Sequence, residues 1–196
     1  MSRPAVFLDR DGTIIEDVGY LSSLDEIELL PWSIDAIRAL TRAALPVIVI
    51  TNQSGIARGY LTEDFLAEAH RALAARVEAG GGRIEAFYYC PHHVRGTVAK
   101  YATSCECRKP GAELLRRAAA DLDVDLSRSY MVGDKWLDVG AGRAAGARTI
   151  LVRSGFGGFE EKHPLPDLTA DAIVDNLAAA ASWILLNLQS AIYNLQ

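Results

Sequence analysis

The sequence predicts an α/β protein in which helices flank a mainly parallel sheet, all within one domain spanning residues 1–196. Three observations predict it. Short apolar runs recur along the chain, segments with helical spacing separate them, and 196 residues suit a single core better than two. Strands that alternate with helices at this spacing form βαβ crossovers, which build parallel sheets.

The elements follow in order. Ala5-Val6-Phe7-Leu8 reads as a buried strand, and residues 33–44 as a helix carrying Ile34, Ile37 and Leu40 on one face. Val47-Ile48-Val49-Ile50 is a β-branched run without alternation, as expected of a strand covered on both faces. Thr62 caps a helix whose first turn holds Glu63 and Asp64, and Gly80-Gly81-Gly82 stops it. Residues 84–89 form a strand, 112–122 a helix, 130–132 a strand, 137–145 a helix ended by Gly146, and 149–152 a strand. A helix over about 177–190 closes the chain. Its longest apolar stretch, 177–186, is too short for a membrane core that needs about 20 residues, so it reads as a packing helix.

Composition narrows the function. The chain carries 20 Lys+Arg against 25 Asp+Glu, a net charge of −5, with no basic stripe for nucleic acid or an anionic membrane. No signal segment opens it, so the expected address is the cytoplasm and no obligate protein partner is implied. Three cysteines are an odd number, which argues against a paired-disulfide scaffold.

Ligands bind beyond the carboxyl ends of strands in such sheets. There stand Asp9-Arg10-Asp11-Gly12-Thr13, then Thr51-Asn52-Gln53-Ser54-Gly55, then Gly133-Asp134-Lys135 with Asp138 beyond. On an extended segment Asp9 and Asp11 face one small volume while Arg10 points elsewhere. Two such carboxylates resist joint ionisation unless a cation joins them or one is protonated, and with Asp134 and Asp138 they make an oxygen site suited to Mg²⁺. Thr51, Asn52 and the cations of Arg108-Lys109 can hold a phosphoryl group. Phosphoryl transfer through an aspartyl-phosphate is the chemistry these groups share.

These four segments resemble the motifs of the haloacid-dehalogenase (HAD) superfamily of phosphatases, over roughly residues 5–155. The resemblance implies a Rossmann-like, doubly wound sheet with helices on both faces. It implies Asp9 as nucleophile, Asp11 as general acid and base, Thr51 and Lys109 on the phosphoryl group, and Mg²⁺ held by Asp9, the Asp11 carbonyl and Asp134. The segments between motifs are too short for a cap domain, so the site should be open. Its selectivity should then lie with Asp17, Gly19 and Tyr20, with Thr51, Asn52, Gln53 and Ser54, and with Arg108 and Lys135. Arg58 is a further candidate for a second phosphate or sugar hydroxyls.

The long connection from Cys90 to Cys107 holds three thiols and an imidazole. A Cys₃His set from Cys90, His92, Cys105 and Cys107 matches tetrahedral Zn²⁺ in a structural role, although the spacing alone also fits metal-free thiols. A closed metal site there would fix the loop that presents Arg108 and Lys109. The same insert resembles the D-glycero-D-manno-heptose 1,7-bisphosphate 7-phosphatases and their relatives the histidinol-phosphate phosphatases. The family pattern favours His92 over His93 as ligand. The resemblance implies a small phosphorylated sugar as substrate, within nucleotide-activated heptose biosynthesis for lipopolysaccharide or S-layer precursors. Histidinol phosphate is the alternative substrate, and a non-catalytic phospho-ligand module the alternative of another class.

Three features read as ordinary structure. Gly140-Ala141-Gly142-Arg143-Ala144-Ala145 matches a dinucleotide pattern but lies inside a helix, where small residues permit close packing. Gly155-Phe156-Gly157-Gly158 reads as a flexible loop. His70 and His163 read as an ordinary helix residue and a loop residue.

Overall fold

The computed structural model describes residues 2–193, and side chains through 188. Alternation along the strands decides the layers. In β1 (Val6–Leu8), Val6 and Leu8 face one core while Ala5 and Phe7 face the other. The same two-residue period runs through β2 (Val47–Asn52), where Val47 and Val49 oppose Ile48 and Ile50. Both faces must therefore be covered, and a chain of crossover helices covers them.

Between these strands lies α1 (Ser33–Arg42), and after β2 comes α2 (Glu63–Ala79). Thr62 caps α2 as expected, accepting a hydrogen bond from Phe65 N at 3.1 Å. Next are β3 (Ala86–Cys90), α3 (Glu113–Leu122), β4 (Tyr130–Gly133), α4 (Trp136–Ala145) and β5 (Arg148–Val152). The chain closes with α5 (Gly157–Glu160), β6 (Ala172–Val174) and α6 (Leu177–Tyr193).

The six strands are parallel, in the order β3-β2-β1-β4-β5-β6. Helices α1, α2 and α6 pack on one face through Ile37, Leu40, Leu73, Val77, Ala180 and Ile184. Leu114, Leu115 and Ala118 of α3 and Ala141 of α4 fill the other. A sheet wound in both directions from β1 opens a crevice between the ends of β1 and β4.

Two expectations change. Residues 157–160 are a helical turn and not a flexible loop. The edge strand β6 has no counterpart in the predicted elements; its apolar run, Ala172-Ile173-Val174, is only three residues long and half-buried. Within α4, Gly142 lies against Met131 and Thr149, so the dinucleotide-like pattern is a packing surface. His70 is buried in α2, and His163 follows α5 with its Nδ1 2.8 Å from the Phe159 carbonyl. No cap domain intervenes among the described residues: Asp11 to Thr51 holds one short 3₁₀ turn and α1. None of the described helices is long and apolar enough to cross a membrane.

Candidate active site

The site begins where β1 leaves the sheet. Asp9 N donates to Val132 O (2.9 Å), holding this residue at the β1/β4 crevice. Asp9 Oδ1 accepts from Arg10 N at 2.7 Å. The chain then turns at Gly12, with φ +79°, and a Cβ there would run into the Asp134 carboxylate. Glycine is thus required twice over, for its dihedral and for the carboxylate beside it.

Lys109 arrives from the end of the cysteine loop and is 3% exposed. Its Nζ lies 2.8 Å from Asp9 Oδ1, 2.6 Å from Asp138 Oδ1 and 3.0 Å from the Ile50 carbonyl. The ammonium is thus held by one hydrogen bond, to the Ile50 carbonyl, and by two ion pairs. Burial by itself would lower the Lys109 ammonium, but the charges of Asp138 and Asp9 outweigh it and hold the pKa above its ordinary value. Burial raises Asp9, with Lys109 opposing and Asp138 adding to the rise.

Asp134 is fully buried behind this pair. Its Oδ2 accepts from Phe156 N at 2.8 Å, while Oδ1 has no hydrogen-bond partner among the described residues. Burial, then the like charges of Asp9 and Asp138, push its carboxyl up to about 8. Ligand oxygens of Asp9, Asp134 and Asp138 lie within 4.8 Å of one another. An orphaned oxygen, three clustered carboxylates and a single lysine make a donor set with room for one hard cation.

The Asp11 carboxylate sits at the edge of this floor. The i, i+2 reading sent Arg10 away from it; the structure does the reverse. Because the chain turns at Gly12 and does not continue as a strand, the Arg10 side chain folds back, and Nη2 reaches Asp11 Oδ1 at 2.9 Å. Gln53 Nε2 donates to Asp11 Oδ2 (3.0 Å) and to Thr51 Oγ1 (2.8 Å), tying the first two strand ends together.

Above the floor opens a cavity of about 360 Å³. Asp9, Asp11, Thr51 and Lys109 line it, and so do Asp17, Gly19, Tyr20, Asn52, Gln53, Ser54, Arg108 and Lys135. Asp134 stands beneath and does not line it. Lys135 Nζ pairs with Asp17 Oδ2 at 2.9 Å and lies over the Phe156 ring. Asn52 spends its amide on Lys109, accepting from its N–H (3.0 Å) and donating to its carbonyl (3.3 Å), which fixes where that lysine starts.

Arg58 is not brought to the cavity. Its Nη2 lies 3.3 Å from His93 Nε2, over the cysteine loop. Sequence reasoning missed Phe156 and Leu137, which line the cavity. The signal for Phe156 was available, since it follows β5 at the same sheet edge as the other sites.

The cysteine loop closes on itself. Cys107 Sγ is 3.1 Å from both Cys90 Sγ and Cys105 Sγ, and Cys90 and Cys105 are 3.4 Å apart. His92 Nδ1 reaches Cys107 Sγ at 3.3 Å, whereas the His93 ring is engaged by Arg58 and by Arg95 N. No disulfide forms. Burial pushes the Cys90 and Cys107 thiols up. Four soft donors within 4.8 Å suit one tetrahedral metal that would draw the thiols into their anionic form.

A doubly wound parallel sheet with an Asp-x-Asp turn after its first strand, and a lysine and carboxylates converging on it, defines the HAD class of phosphohydrolases. A family described as HAD-hydrolase-like matches residues 106–180. The D-glycero-beta-D-manno-heptose-1,7-bisphosphate 7-phosphatase of Yersinia pestis is 39% identical, over 95% of this chain and 92% of that protein. The D-glycero-D-manno-heptose-1,7-bisphosphate 7-phosphatase of Thermosynechococcus vestitus is 42% identical, over 96% and 98%. A solved D,D-heptose 1,7-bisphosphate phosphatase from B. bronchiseptica, complexed with magnesium and phosphate, superposes with a TM-score of 0.84 at 34% identity, over 94% and 99%. The chain belongs to the heptose-1,7-bisphosphate 7-phosphatase family of HAD phosphatases.

Proposed function

We propose that this protein is a Mg²⁺-dependent phosphatase that removes the 7-phosphate of D-glycero-D-manno-heptose 1,7-bisphosphate, in nucleotide-activated heptose biosynthesis. The observation that carries the reading is the Asp9–Lys109 pair on the floor of a cavity rimmed by Arg108 and Lys135. A bisphosphate needs one cationic site for the transferred group and a second for the group that stays. The names of relatives that match nearly end to end support the same substrate, and they do not favour histidinol phosphate.

Asp9 is the nucleophile. Among the described residues its hydrogen bonds fall on Oδ1, so Oδ2 is the oxygen that carries no protein donor. Oδ2 bonds to phosphorus as the bond to the sugar oxygen breaks, and that oxygen takes a proton from Asp11. Asp11, now a carboxylate, removes a proton from the water that cleaves the aspartyl-phosphate. Lys109 and Thr51 hold the phosphoryl oxygens throughout. Asp9, the Asp11 carbonyl and Asp134 would hold Mg²⁺, which when bound neutralises charge on the phosphoryl group.

Cys90, His92, Cys105 and Cys107 would hold a structural Zn²⁺ and so brace Arg108 and Lys109. Reduced thiols of this kind fit a cytoplasmic protein. Asp17, Gly19, Tyr20, Asn52, Gln53 and Ser54 shape the sugar site, with no nucleic acid or membrane involved. The −5 charge does not oppose an anionic substrate, since Arg108, Lys109 and Lys135 line the pocket and Mg²⁺, when bound, would add to them. Phosphate release from both anomers of the heptose bisphosphate and from histidinol phosphate tests the reading. Heptose bisphosphate should exceed histidinol phosphate by about 10²-fold or more in kcat/KM, with phosphorus NMR showing loss from C7. Preference for histidinol phosphate would contradict it.

A further inference from the structure

Two buried groups take no part in the mechanism above: the guanidinium of Arg10 and the imidazole of His70, which are 2% and 7% exposed. They touch. Arg10 Nη1 lies 3.4 Å from His70 Nε2. The other side of the same guanidinium meets Asp11, with Nε 3.1 Å from Oδ1 and 3.2 Å from Oδ2, and Nη2 2.9 Å from Oδ1.

A guanidinium only donates, so His70 Nε2 must be the unprotonated nitrogen and its proton must sit on Nδ1. Burial, and then the Arg10 charge, lower the His70 pKa to about 3, so the ring is neutral and able to accept. The ring is itself held. It stacks on Phe87 at 4.4 Å and 16°, and meets Tyr89 edge-on at 6.1 Å. Phe87 and Tyr89 belong to β3, at one edge of the sheet.

We propose that Arg10 and His70 are positioning residues that hold the Asp11 carboxyl group in the orientation from which, in its protonated form, it passes its proton to the sugar oxygen. Burying a guanidinium is costly, and a hydrocarbon side chain would fill the same space without that cost. What the charge contributes is a planar fork, which selects one orientation of a carboxylate that otherwise turns freely about its side-chain bonds. Gln53 holds the second oxygen at 3.0 Å, so the orientation is set from two sides. The proton passes from Asp11 to the bridging oxygen as that oxygen takes the electrons of the breaking P–O bond. Arg10 keeps all its protons and stays paired with the carboxylate that results.

The proposal rests on Asp11 being the proton donor, and the test separates the two. Single-turnover release of the leaving group is measured on the heptose bisphosphate, whose alkoxide needs a proton, and on p-nitrophenyl phosphate, whose phenolate does not. For Arg10→Lys, which keeps a cation without the fork, the ratio of the two rates should fall about 10–100-fold. His70→Leu should lower it in the same direction, and His70→Gln, whose amide oxygen accepts in place of Nε2, should restore most of it. Thermal melting monitors folding, and the His70 pair carries the test if Arg10→Lys does not fold. Asp11→Asn sets the benchmark. If it lowers both rates alike, the proton-donor reading falls. If it discriminates while Arg10→Lys and His70→Leu leave the ratio unchanged, the positioning proposal alone is overturned.

Discussion

The acidic floor and the cysteine loop are both clusters of metal-ligand side chains, yet they are built in opposite ways. The floor draws Asp9 and Asp134 from two strand ends, Asp138 from the first turn of α4 and Lys109 from a loop, and it carries its own cation. The cysteine set comes from one connection between β3 and α3, and none of its four ligands is a cation or an anion balanced by one. A cluster with an internal counter-charge keeps its geometry between turnovers. A cluster of neutral thiols acquires its charge, and most of its hold on the loop, from the metal. The floor is therefore pre-organised, and the loop is conditional.

The largest effect should come from the floor. Asp9→Asn removes the proposed nucleophile and should lower turnover by about 10⁴-fold or more, with the melting temperature little changed. Near-normal turnover would dismiss Asp9 from that role. Lys109→Met strips the floor of its cation and leaves Asp9 and Asp138 buried without a counter-charge. That should cost about 3–5 kcal/mol in denaturant unfolding, besides abolishing activity. An unfolding midpoint equal to that of the native protein would mean the floor does not depend on its lysine.

The loop should respond differently. Elemental analysis should find about one zinc per chain, and none in Cys107→Ala. That variant should keep its sheet, seen by circular dichroism, while kcat/KM falls about 10²-fold because Arg108 and Lys109 are no longer placed. Full activity in a zinc-free protein would show that the loop needs no metal.

The smallest effect lies in pH. His70 titrates near 3 when folded and near 6.5 when unfolded, so between these values the unfolded chain binds the extra proton. The stability that His70 contributes is complete above about pH 6.5 and declines as pH falls toward 3, by up to a few kcal/mol. His70→Leu should flatten that part of the stability curve. An unchanged slope would mean His70 is not neutral in the fold.

Much of this was legible in the sequence, for a physical reason. The strands β1, β2, β4 and β5 are buried on both faces, so they read as unbroken apolar runs. The loops after them hold the reactive groups because strand ends face the crevice. What escaped depended on where single side chains turn. The extended-strand rule fails at Asp11 because the chain has already left the sheet, which is how Arg10 came to lie on that carboxylate. Arg58 belongs to a motif-like segment but turns toward His93, a contact 35 residues away that spacing cannot show. Asp138 was read as an oxygen ligand, yet its contact with Lys109 gives it a second task, anchoring that lysine. The edge strand β6 and the helical turn α5 are three and four residues long, too short for a period to show.

The central claim is that the floor presents Asp9 as a nucleophile already in place. The most direct test is to quench the Mg²⁺-loaded enzyme with acid during its first turnover and map the phosphoryl group by peptide mass spectrometry. A phosphoryl group on the peptide that carries Asp9, absent in Asp9→Asn, is the predicted result. A phosphoryl group on another residue, or none on the protein while product forms, would contradict it.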